Sequence, residues 1–334
     1  MKLGKLPHDL LAALLARLPS EDPRVLVGPR VGEDAAAVEL GDRILVAAMD
    51  PITFATDLIG WYAVHVNAND VAVMGALPRW FLATILLPEG ADDERAAAIS
   101  DQMAGCCEDL GVTIVGGHTE VTTEVRRPIV IGCMLGEVGR DHLLTSSGAQ
   151  PGDVVVLAGS VAVEGTALLA REARDLLREK GVSAETLARA RGLLMDPGIS
   201  IVRAAQAAAQ VPGVTAMHDP TEGGLATGLR EIAIASGLGL EIAADEIPIL
   251  PATKDFSAAL GLHPLGLIAS GCLLVTVRPE ATEELVAALS SADTEASVIG
   301  RATGEGEGLW MVRGAEREPL PEFPRDEVAR LFGE

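Results

Sequence analysis

A chain of 334 residues that is 49% hydrophobic and 22% charged is long enough for two ordinary domains, each burying its own core, and has the balance of a soluble globular protein. Its 26 Lys plus Arg against 48 Asp plus Glu give a formal charge of −22, and no basic patch is visible that would let it hold nucleic acid or an anionic membrane. A nucleotide remains admissible if a divalent metal neutralises its phosphates, and the longest apolar runs, FLATILL (81–87) and PIVIGCML (128–135), are too short to span a bilayer.

The opening MKLGKLPHDLLAALLARLP has neither a long apolar stretch nor a small-residue cleavage site, so it reads as an amphipathic helix and not as a signal peptide. Leu10, Leu11, Leu14, Leu15 and Leu18 form its stripe. AAAVEL (35–40) and RILVAAM (43–49) flank Gly41-Asp42 as a strand pair around a tight turn. Residues 60–75 carry a helical pattern that ends at Gly75. A strand (80–87), a helix (92–110) and a strand (112–115) that stops at Gly116-Gly117 come next, and a further strand covers 128–138. TSSGAQPGD (145–153) is the best linker signal.

The second half reads as a strand (153–159), helices at 163–180, 184–194 and 198–210, and a strand (214–218) ending at Asp219. Helix 222–236, strand 239–243, helix 280–290 and two late strands complete it, with Cys272 inside a strand. Mixed βα units in both halves point to two α/β domains, 1–148 and 149–318, with a proline-bearing peripheral tail at 319–334. Cys106, Cys107, Cys133 and Cys272 show no CxxC spacing and read as reduced, buried thiols of a cytoplasmic protein.

No GxxxxGK[ST] loop is present, and Gly304, Gly306 and Gly308 lack the following helix of a dinucleotide loop, so they read as a turn between late strands. What stands out is acidic residues beside glycine or alanine at element ends: GEDAAAV (32–38), MDP (49–51), NANDVAVMGA (67–76), GGHTE (116–120) and HDPTEGGL (218–225). Magnesium takes oxygen ligands and shares them with substrate phosphates, while glycine lets backbone N–H groups approach phosphate oxygens. In DPTEGGL a helix N-terminus adds its dipole. Singly, Asp34 and Asp219 also fit caps, Asp50-Pro51 a turn, and His118 and His218 structural histidines. Asp70 is harder to set aside, because a carboxylate among Val66, Val71, Val73 and Met74 needs a partner.

In that order the motifs resemble the superfamily of aminoimidazole ribonucleotide (AIR) synthetase, selenophosphate synthetase, thiamine-monophosphate kinase and the hydrogenase-maturation carbamoyl dehydratase (HypE type), over roughly residues 25 to 315. The run as a whole is most similar to the hydrogenase-maturation-like, AIR-synthase-related proteins. The resemblance implies a PurM-like α/β fold and a homodimer pairing N-terminal domains through a shared β-barrel. It also implies ATP and magnesium held by glycine–acid loops in a cleft between subunits or domains.

Carried over by position, Asp34, Asp50, Asp70 and Asp219 would hold magnesium, with Asp70, His118 and Glu120 at the chemistry. Lys5, Gly32, Glu33, Asn67, Gly116, Gly117, His118, Thr119 and Glu120, together with Thr221, Gly223 and Gly224, would line the nucleotide. Three departures stand out: Glu33 replaces one of two acids, the glycine loop near the N-terminus is missing, and the sequence closes on FPRDEVARLFGE with no cysteine. Self-dehydration on a tail thiol is therefore not expected.

The leading expectation is an ATP- and magnesium-dependent enzyme phosphorylating or activating a small polar substrate. A non-catalytic nucleotide-binding homodimer serving as a maturation partner and a thiamine-monophosphate-kinase-like enzyme are the alternatives within the family. A metal-dependent hydrolase built on His118, Glu120, His218 and Asp219 is the alternative outside it.

Overall fold

The computed structural model describes residues 6, 8–19, 21–53 and 57–333, so Lys5 lies outside the described residues. The chain forms two compact units, each discontinuous in sequence. The first comprises 21–28 and 34–143; the second comprises the opening helix α1 (His8–Leu15), the short stretch 29–33, and everything from 144 onward.

The first unit is a sheet of β1 (Val25–Val27), β2 (Ala36–Leu40), β3 (Arg43–Ala48), β4 (Pro51–Ile52), β5 (Leu77–Pro88), β6 (Thr113–Thr122) and β7 (Ile129–Gly139). Its order is β1-β2-β3-β7-β5-β6, with β4 also paired to β7. Two helices join it, α2 (Ile59–Val73) and α3 (Asp93–Leu110). α2 is apolar nearly all round and accordingly buried nearly all round. Gly75, in the left-handed region at φ 74°, ends it as the sequence predicts. α3 starts on Asp92, which accepts the Arg95 N–H at 2.8 Å, and stops at Gly111 with φ 67°. It carries the chain from β5 to its parallel partner β6.

The sequence predicts that β6 stops at Gly116-Gly117. It instead continues to Thr122, with both glycines in the ladder opposite Leu82 and Ala83. A Cβ on Gly117 would lie 2.1 Å from the Ala83 carbonyl oxygen, so glycine here permits close pairing and does not break the strand.

The second unit contains β8 (Val154–Ala158), α4 (Val163–Glu172), α5 (Arg174–Glu179), α6 (Ala184–Gly192), α7 (Val202–Ala209) and β9 (Val214–His218). It continues with α8 (Gly224–Ser236), β10 (Gly239–Ala243), α9 (Pro251–Leu260), β11 (Leu273–Val277), α10 (Thr282–Ser291), β12 (Ala296–Thr303), β13 (Leu309–Arg313), β14 (Glu316–Pro319) and α11 (Glu327–Phe332). The sheet order is β14-β13-β10-β12-β8-β11-β9. Its central strands β8 and β11 are almost wholly buried, as their Val/Leu runs require. The glycines at 304, 306 and 308 fall in the turn between β12 and β13. The stretch after 319 is not peripheral: Leu320 and Glu327 are buried, and Phe323, Val328 and Leu331 pack on the core of this unit.

Candidate functional site

In the first unit the candidate site is organised by one buried carboxamide. Asn67, fully buried on α2, accepts the Asp50 N–H at 2.8 Å through Oδ1 and donates through Nδ2 to the Ala63 carbonyl at 2.8 Å. Its Nδ2 also reaches the Asp50 carbonyl at 3.4 Å, and Gly132 N–H donates to that same carbonyl at 3.0 Å. The peptide groups of Asp50, between β3 and β4, are thereby fixed while its side chain stays exposed. A Cβ on Gly132 would meet Asn67 Nδ2 at 2.5 Å, so a glycine in β7 makes the approach possible. Asp70 follows three residues on from Asn67, is buried and partnered, and shares that helix face. Asp34 precedes β2 in the same unit and is half-buried.

The GGHTE residues lie along the exposed β6, where His118 Nε2 and Glu120 Oε2 are 3.1 Å apart with both side chains largely in solvent. Gly116, Gly117, His118 and Thr119 border a hollow of about 250 Å³, together with Ser100 and Met103 of α3. No cysteine is poised as a nucleophile: burial pushes the Cys106 thiol up to about 12 and Cys107 to about 11, and it raises Cys133 as well.

The second unit holds the other motifs. Gly32 has φ 89°, and a Cβ there would stand 2.8 Å from the Glu231 carbonyl oxygen. Its role is close packing on α8. Glu33 accepts the Ser146 and Ser147 N–H groups at 3.0 and 3.3 Å and the Ser147 hydroxyl at 2.7 Å. Its carboxylate ties down the expected linker.

In the DPTEGG loop, Thr221 O accepts from Gly224 N at 3.0 Å and from Ala269 N at 3.2 Å, and Gly223 N donates to Asp326 Oδ2 at 2.9 Å. A Cβ on Gly224 would lie 2.4 Å from the Leu265 carbonyl. Both glycine amides expected to cradle phosphate therefore have protein acceptors. Asp326 also accepts from Val328 N at 2.8 Å, yet burial pushes its carboxyl up to about 6 against the pull of these amides.

Two acids that the fold engages escaped the sequence. Glu231 pairs with His218, Nε2 to Oε2 at 3.0 Å, both buried; Asp219, next in the chain, is buried too. Asp219 also helps raise Cys272, which burial pushes up to about 12. The signal for Glu231 was present: Gly224, Gly228, Glu231 and Ala235 follow one face of α8, a small-residue stripe onto which Gly32 and Pro220 pack. Nothing local marked Asp326, whose partner is 103 residues away.

Among the described residues, no three His, Cys, Asp or Glu side chains gather at metal-ligand spacing. The hydrolase set divides, His118 and Glu120 in the first unit and His218 and Asp219 in the second, with His218 engaged by Glu231. That reading is set aside. No described helix is long and apolar enough to cross a membrane.

Comparison with known proteins agrees with this layout. Residues 32–138 match the AIR synthase related protein N-terminal domain, and 150–311 match its C-terminal domain. Carbamoyl dehydratase HypE of Cupriavidus necator is 32% identical over 294 residues, covering 85% of this chain and 80% of its own. A crystal structure of hydrogenase maturation protein HypE in complex with ATP superposes with a TM-score of 0.72 at 24% identity, covering 95% of this chain and 91% of the other. Thiamine monophosphate kinase from Aquifex aeolicus gives 0.71 at 21% identity, covering 94% and 100%. The chain belongs to the AIR synthase-related family, and within it stands with the HypE-like proteins.

Proposed function

We propose that this protein binds ATP with magnesium through the first unit's acid–glycine set and uses it to phosphorylate or activate a small polar acceptor. The observation that carries the reading is Asn67, whose one carboxamide holds both peptide groups of Asp50 one helical turn from the buried Asp70. Magnesium carried by a nucleotide needs only one or two protein carboxylates beside the phosphates, and Asp50 and Asp70 fit that donor set. Bound there, the metal supplies charge neutralisation at the phosphates. Asp34 and the Gly116–Thr119 backbone are the remaining contacts we assign to the nucleotide.

His118 is assigned the proton. Glu120 engages its Nε2, leaving Nδ1 to take a proton from the acceptor as its oxygen bonds to the γ-phosphorus and the bond to the bridging oxygen breaks, releasing ADP, while the Glu120 carboxylate stabilises the imidazolium formed. The complex of the HypE neighbour with ATP supports the nucleotide, and the HypE–HypF complex among the structural neighbours supports a maturation-protein partner.

Calorimetric titration with ATP, with and without magnesium, tests the assignment. Binding should require magnesium, and Asp70→Asn should weaken it at least about tenfold, the loss of one charge-assisted contact. Absence of binding under both conditions would sink the reading. Phosphate release on the same sample separates an enzyme from a nucleotide-binding partner.

A further inference from the structure

A hollow that the nucleotide chemistry leaves unused lies in the second unit, where α4 and α6 pack on each other and on the turn Leu194–Gly198. It has a volume of about 380 Å³ and is lined by Arg171, Ala188, Arg191, Gly192, Leu194 and Met195. Leu194 gives it a buried apolar wall, while the Met195 side chain is 56% exposed. No carboxylate lines it among the described residues. The chain as a whole carries −22, yet residues 171–191 hold six Arg and Lys against four Asp and Glu, so the sign of the charge inverts locally. Arg171 and Arg191 stand in the last turns of α4 and α6, where each also offsets its helix dipole. Two helix ends contribute about −0.5 charge each and two guanidinium groups about +1 each, which leaves a net charge of about +1 at the hollow. Arg171 is half-buried and engaged within the protein, which fixes its position; Arg191 is exposed and has no ion pair among the described residues. A guanidinium offers paired, planar donors that match a carboxylate or phosphate, and a thioether beside an aliphatic wall suits an apolar or aromatic body. An apolar cavity of about 150 Å³ already holds benzene, so the space here admits a ring together with its charged head.

We propose that this hollow binds a small organic anion, a phosphate or carboxylate head on an apolar body, with Arg171 and Arg191 at the head and Leu194 and Met195 against the body. All of these residues belong to the second unit, so the site stands independently of the nucleotide set assigned to the first.

Phenyl phosphate, benzoate and inorganic phosphate are titrated into the full chain at low salt, followed by saturation-transfer NMR and by hydrogen exchange of residues 186–196. For probes of this size the organic anions should bind in about the millimolar range and slow exchange in 186–196. The tighter of the two assigns the head as phosphate or as carboxylate. Inorganic phosphate, which has no body to bury, should bind at least about fivefold more weakly than phenyl phosphate. Arg191→Gln should weaken the tighter organic anion about tenfold, the loss of one charge-assisted contact, while Arg178→Gln, in the same segment but not lining the hollow, should bind as the parent does. Should Arg191→Gln fail to fold, Arg191→Lys, which keeps the charge at the helix end without the paired donors, decides in its place: weaker binding upholds the site and unchanged binding rejects it. The site is overturned if neither organic anion protects 186–196, if phenyl phosphate binds no tighter than inorganic phosphate, or if Arg178→Gln costs as much affinity as Arg191→Gln, since the last result would reduce the effect to the local field.

Discussion

His65 faces α3 from the buried side of α2, its Nδ1 without a hydrogen-bond partner and the Trp61 ring 4.5 Å away. Burial pushes it down to about 4, and Asp109 offsets only part of that. The folded state therefore favours neutral imidazole. Between pH 6.5 and about 4 the unfolded chain binds the extra proton, so stability is full above that window and is lost as pH falls through it, by roughly 3 kcal/mol at most. Urea midpoints should fall between pH 7.5 and 5, and His65→Phe should flatten the slope; an unchanged slope would contradict this origin. Asp326 has the opposite sign, because its raised carboxyl makes its contribution present at low pH and lost as pH rises through about 6. Asp70 was legible because a carboxylate in an apolar helix advertises a partner. The ties of Glu33 were hidden for a physical reason: the groups that donate to its carboxylate, on Ser146 and Ser147, lie more than a hundred residues away and only the fold brings them together. The same distance hid Asp326.

At the scale of elements, periodicity and caps placed α2, α3, β2, β3 and β10 within a residue or two, because each carries its own start, stop and buried pattern. Two kinds of element were not legible. α9 follows Leu250 with Pro251 at its first turn, a real start signal, but its mixed PATKDFSAAL run gives no strong stripe. The extension of β6 depends on β5, since a glycine pair reads as a break until a neighbouring backbone is seen to need the space. Gly117→Ala should accordingly cost about 1–3 kcal/mol by overpacking against the Ala83 carbonyl, measured by denaturant unfolding. A neutral result would show that β5 and β6 can separate without penalty.

For the whole molecule, the fold class and family were carried by the order of five short motifs, while their chemistry was not, because the two units use similar glycine–acid sequences for different purposes. In the first, Asn67 holds the peptide groups of Asp50; in the second they mostly pack. The dimer implied by the resemblance is to be tested at β6. β6 ends its sheet and exposes Ile114, Val115 and Val121, at 43%, 52% and 61%, an edge that isolated proteins usually blunt with charge. Sedimentation at micromolar concentration should show a dimer, and Val115→Lys should shift it to monomer; a monomeric parent chain would remove the shared-barrel inference.

The short stretch 29–33 has a practical consequence for anyone dividing the protein. It packs with the second unit although the first unit's strands flank it in sequence, so a recombinant fragment starting at 144 would leave the Ser146 and Ser147 amides without Glu33 and uncover α8 where Gly32 rests. Such a fragment should melt lower than the same unit in the intact chain, and a synthetic peptide spanning 28–34 should restore part of the difference in trans. Domain boundaries drawn at the linker would thus cut through a fold, because the second unit borrows its missing piece from the front of the gene.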